Sequence, residues 1–287
     1  MERWRPKPQL KGASLGLTLL LPVLFTVGRS LLGIIRSATR REDDDDDDGS
    51  GGHGAVLKDL EFCKRLPKVE LHAHLSGSVR DTTLLELMRQ SGKGEKELEI
   101  MRVEINEKRT LSQCFKIFAL IHQLIRTHQQ ITRITVEVLS DFAADGVRYV
   151  ELRTTPREDK AYDMTLESYV QAVLKGFEII EDLGVDIMPR LLLSINRAQS
   201  VEKAENTARL AIDYLKRKNK YFAGVDFSGN PYAGDFQRFK QIFLRLRKHG
   251  VPCAIHCAEI KGHDEVDAIL EFGPERLGHA VVLTAKN

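Results

Sequence analysis

Residues 69–77 read VELHAHLSG and place His72 and His74 two apart at the end of a short apolar run. Residues two apart in a strand point to the same side, so both rings can offer nitrogen to one point. His256 ends a second apolar run, IHCAEI, with Glu259 three residues later. His279 ends a third, RLGHA. A metal held by His72, His74 and His256, at Zn–N distances near 2.0–2.1 Å, would keep a position open for water. Such a metal lowers the pKa of that water toward ~7, and Glu259 is placed to carry protons between the water and a leaving group.

Chemistry of this kind needs a rigid frame. From Leu66 onward strand-like runs alternate with helical patterns. The runs are 68–74, 147–156, 186–196, 222–231, 252–260 and 276–283. Nearly continuous apolar residues predict strands buried on both faces of a parallel sheet. Between them, Leu166, Tyr169, Val170, Val173 and Phe177 recur at helical spacing, and Gly184 stops that helix. Residues 81–145 form a long helical insertion expected to cap one end of the sheet. Each run ends in polar residues: His72 and His74, Arg153 and Thr154, Asn196, Ser228 and Gly229, His256 and Glu259, His279. Active sites of parallel α/β folds sit at the strands' carboxyl ends. The expected fold is therefore an α/β (β/α)8 barrel of the metal-dependent hydrolase type, with about the last two strand–helix units missing. Gly229, directly after a buried strand, permits close approach to a planar ligand. The bland reading of His122, in ALIHQLI, is a buried packing histidine; His128, His249 and His263 read as surface residues.

Composition narrows the class. The 287 residues are 42% hydrophobic and 29% charged, with a net charge of +2, which gives no bias toward nucleic acid. Four cysteines without a CxxC pair favour a reducing compartment. Residues 1–41 carry a basic flank and an apolar run, and suit a leader or membrane anchor. Residues 42–56, acidic and then glycine-rich, read as a linker in which His53 is inert, and 57–287 as the folded domain. Membrane association is expected only through the leader.

The stretches LPKVELHAHLSGS, VRYVELRTTPR, GVDFSGNP, IHCAEI and ERLGHA resemble the adenosine/AMP deaminase family over about Leu66 to Leu283. ELRTTPR and LIHQL favour its adenosine deaminase-like branch, whose members deaminate N6-methyl-AMP. The resemblance implies a cytoplasmic, monomeric enzyme with one zinc ion per subunit and a purine nucleotide as small-molecule partner. It makes His72, His74 and His256 zinc ligands, Glu259 the proton donor and His279 the residue that orients water. It assigns nucleotide contacts to His74, Ser76, His122, Thr154, Thr155, Pro156, Arg157, Asn196, Gly229 and Glu259. Ser76 stands where the branch has Asn, and Asn196 where it has Asp. Arg157 is the expected phosphate contact. The family completes its zinc site with an Asp–Asp pair on the eighth strand, and AVVLTAKN after His279 holds no carboxylate. Two other outcomes are therefore carried: an inactive truncated isoform or nucleotide-binding pseudoenzyme, and an adenosine deaminase. A hydrolase that bridges two metals with a carboxylated lysine is disfavoured, because no strand ends in a suitable Lys.

Overall fold

A computed structural model describes residues 61–92, 111–261 and 265–283. The expected leader and linker, His53 and His263 lie outside the described residues. Six strands run parallel in chain order: β1 (Lys68–His74), β2 (Val147–Thr154), β3 (Met188–Asn196), β4 (Phe222–Ser228), β5 (Cys253–Cys257) and β6 (Arg276–His279). The crossovers carry helices α1 (Asp81–Gln90), α2 (Leu111–Leu124), α3 (His128–Ala144), α4 (Leu166–Asp182), α5 (Val201–Lys216), α6 (Lys240–Lys248) and α7 (Glu265–Phe272). The sheet curls until the rings of His72 on β1 and His279 on β6 are 4.7 Å apart. This is the β/α barrel type with an opening between its first and sixth strands.

Local sequence accounts for the elements. Thr127 with Gln130, and Thr165 with Ser168, form capping boxes that satisfy the first amides of α3 and α4. The apolar face of α4 buries Tyr169, Val170, Val173 and Phe177, and Gly184 after it takes φ +65°. At Gly176 an added Cβ would stand 2.6 Å from Thr135 Cβ, so the missing side chain lets α3 lie close against α4. Phe227 on β4 packs edge-on or tilted against Phe236, Phe239 and Phe243, and Phe272 of α7 closes the cluster.

Three expectations need correction. Four strands stop earlier than their apolar runs, at Thr154, Ser228, Cys257 and His279. At the ends of β5 and β6 the chain turns through left-handed residues, Ala258 at φ +52° just after β5 and His279 at φ +63° closing β6, which end the strands without a glycine. β1 is not buried on both faces: Val69 is 64% and Leu71 41% exposed. The insertion divides its work, with α2 overhanging the mouth of the barrel and α3 joining the outer helical layer.

Candidate active site

β1 delivers His72 and His74 to the inside of the barrel, as period-two geometry requires. Nε2 of each lies 3.1 Å from Nε2 of His256 on β5. Donors at 2.0–2.1 Å from a tetrahedral centre stand about 3.3 Å apart, so this trio fits a zinc-type ion. Ring nitrogens of His72, His256 and His279 also fall within 4.8 Å of one another. His279, however, turns Nε2 toward Glu259 Oε1 at 3.6 Å, which leaves His74 as the better third donor. Burial, then Arg153, pushes the His72 imidazole down to about 2. Burial, then His256, pushes His74 and His279 down to about 3 each. Neutral imidazoles keep their lone pairs free, as metal binding requires. Gly278 makes room for them, since a Cβ there would sit 2.8 Å from His72 Cε1.

Behind the imidazoles stands a group the sequence reading passed over. Asp226, in the middle of β4, is fully buried, and its Oδ1 lies 3.1 Å from His256 Nδ1. A carboxylate there leaves Nε2 of His256 turned toward the other two rings. Ser194 Oγ donates to Asp226 Oδ2 (2.9 Å) and Arg153 Nη1 donates to Oδ1 (2.7 Å). Burial alone would raise the Asp226 carboxyl, but Arg153, then the imidazoles, holds it well below the ordinary range. The one available signal was a lone Asp in an apolar run.

Glu259 follows the left-handed Ala258, which turns its side chain into the barrel mouth. Burial pushes its carboxyl above the ordinary range, against the opposing pull of His256 and Arg197. A carboxyl held above its ordinary range beside a ligand site is suited to donate a proton.

These groups floor an open cleft that reaches to the mouth of the barrel. His74, Ser76, His122, Thr154, Thr155, Asn196, Gly229 and Glu259 line it. Pro156 and Arg157 do not. Pro156 is buried behind the strand end. Arg157 donates to the Ile125 carbonyl (2.5 Å) and stacks on Tyr169 at 5.0 Å, which ties down the start of α3. His122 is not a packing histidine: its side chain is exposed, and its Nε2 lies 3.1 Å from Ser76 Oγ across the cleft. His128 is half-buried, with Nε2 2.8 Å from Ser168 Oγ, whereas His249 is exposed. Gly229 takes φ +107°, and a Cβ there would collide with Asn196 Oδ1 at 2.4 Å. The cleft's aromatic wall was missed. Phe115 and Phe118 meet edge-to-face at 5.8 Å, and with His122 their spacing in α2 marks one helical face.

Fold and site together define a hydrolase of the metal-dependent β/α-barrel type. The family model for adenosine deaminase matches residues 67–285, and the chain belongs to that family. It is 38% identical over 234 residues to the Xenopus laevis N6-Methyl-AMP deaminase-L, covering 81% of this chain and 66% of the relative. It is 37% identical over 246 residues to the Arabidopsis thaliana N6-mAMP deaminase, covering 77% and 68%. The Arabidopsis ADAL complexed with GMP superposes with a TM-score of 0.71 at 39% identity, over 79% of this chain and 68% of that one. The ADAL–IMP complex superposes with 0.72 at 38%, over the same shares. The chain thus spans about two thirds of the length of the relatives it matches.

Proposed function

We propose that this chain carries the chemistry of a zinc-dependent purine nucleotide deaminase, with N6-methyl-AMP as substrate, water as co-substrate, and IMP and methylamine as products. The observation that carries the reading is the convergence of the His72, His74 and His256 Nε2 atoms beside a carboxyl raised above its ordinary range, on the floor of an open cleft. The names of the relatives support the substrate. His72, His74 and His256 hold the ion, which when bound supplies Lewis-acid activation of water. Gly229 lets the backbone approach the purine edge, and Phe115 and Phe118 wall the base. Glu259 delivers its proton to the ring nitrogen as water oxygen adds to C6. His279, beside Glu259, orients the water. Collapse of the adduct expels methylamine with one proton of the attacking water, and the other proton of that water restores Glu259.

The second reading, nucleotide binding without turnover, has one observation in its favour. Among the described residues, the one carboxylate behind the imidazoles, Asp226, is engaged by Arg153 and Ser194. Incubating the zinc-loaded chain with N6-methyl-AMP, AMP and adenosine, and following methylamine or ammonia, decides between them. Fastest release from N6-methyl-AMP supports the first reading. Stoichiometric zinc and nucleotide binding with no amine released supports the second.

A further inference from the structure

Arg153 is 2% exposed, yet it forms part of the cleft floor. Its guanidinium spans three strands. From the end of β2, Nη1 donates to Asp226 Oδ1 on β4 (2.7 Å), and Nη2 donates to the main-chain carbonyl of Leu71 on β1. The second bond falls where β1 lacks ordinary support. The β1–β2 register shifts between Glu70 and Ala73, so the ladder does not fix the backbone around His72. The amide of His72 is likewise out of the ladder and donates to Glu70 Oε1 at 2.6 Å. The carbonyl just before His72 is therefore held by a side chain. The same side chain grips the carboxylate that stands 3.1 Å from His256 Nδ1.

We propose that Arg153 is the positioning residue of the metal site: by bridging the Leu71 carbonyl and Asp226, it sets where the Nε2 atoms of His72 and His256 meet. The role needs both arms of the planar fork. Lysine keeps the charge but is a single point donor, so it can satisfy one acceptor or the other and not hold the two in fixed relation. Groups that orient metal-binding histidines in this way typically govern affinity by 10–100-fold.

The inference rests on the reading of the imidazoles as zinc ligands, and the experiment separates the two. The 287-residue chain and its Arg153→Lys, Arg153→Met and Asp226→Asn variants are titrated with zinc against a chromogenic chelator. The visible spectrum of the cobalt(II) form is recorded for each, under conditions where circular dichroism shows native structure. We expect one zinc per wild-type chain, 10–100-fold weaker binding in Arg153→Lys and in Arg153→Met, and altered cobalt bands. In an Arg153→Lys/Asp226→Asn double variant the loss should fall short of the product of the single losses, because both changes break one bridge. A variant that merely loosened the fold would bind less protein-wide but leave the cobalt bands of the bound fraction unchanged. Wild-type affinity and spectrum in Arg153→Lys overturn the positioning role, even if Arg153→Met does not fold. A wild-type chain that binds no zinc overturns the metal reading, and this inference with it.

Discussion

At the scale of single residues, the site works by withholding charge. Three imidazoles are held far below their ordinary range and one carboxyl above it, with burial the leading cause each time. Glu259→Gln keeps the shape and loses the transferable proton. It should lower kcat by about 10²–10⁴-fold with zinc content unchanged, as amine release and metal analysis on the same sample will show. The buried histidines also make the metal-free fold sensitive to acid. Their folded pKa values lie below the unfolded value of 6.5, so the unfolded chain takes up protons first as pH falls. Stability is then greatest above about 6.5 and declines as pH drops toward the folded values. In EDTA the denaturation midpoint should fall between pH 7 and pH 5. The fall should be smaller in a His279→Gln variant, and an equal fall in both proteins would refute the assignment.

Elements set how closely these residues can approach, and packing sometimes overrides propensity. Gly176 lies inside α4, where alanine is the better helix former by about 1 kcal/mol. The contact at Thr135 reverses that preference: a Cβ at 2.6 Å from the Thr135 Cβ and Cγ2 atoms forces two helices apart, and overpacking costs roughly 1–3 kcal/mol. Gly176→Ala should therefore lower the thermal midpoint, and a rise would show that α3 and α4 part easily. At this scale much was legible in the sequence. Continuous apolar runs marked all six strands, and polar residues at their ends marked the mouth. Strand ends were less legible, because Ala258 and His279 adopt left-handed backbone that nothing in an Ala or a His announces. Asp226 stayed hidden for another reason: its meaning comes from Arg153, 73 positions earlier in the chain. Arg157 shows the limit: a loop arginine near a site looks the same in sequence whether it meets a ligand or a carbonyl such as that of Ile125.

For the molecule as a whole, the curled sheet leaves β1 bonded to β2 alone and β6 to β5 alone among the described strands. Val69, Leu71 and Leu277 are exposed beside those edges. Open edges with apolar flanks pair with other chains. The 287-residue chain on its own should run above monomer mass in light scattering, and Val69→Lys/Leu277→Lys should bring it down. A monodisperse wild-type monomer would rule this out and agree with the monomer that the family resemblance implies.

The meeting of His72 with His256 has a further consequence in time. The two lie 184 positions apart in the chain. Synthesis at about 5–20 residues per second puts roughly 10–40 s between their emergence. Through that interval β1 exists with its pair of histidines and without their partner, so nothing can clasp them in the final arrangement. Bringing such distant points together costs on the order of 4–5 kcal/mol in chain entropy. The fold must meet that cost through β2 to β5 before the cluster exists. A tie made there closes most of the described chain into one loop, so it is a clasp that resists separation of β1 from β5.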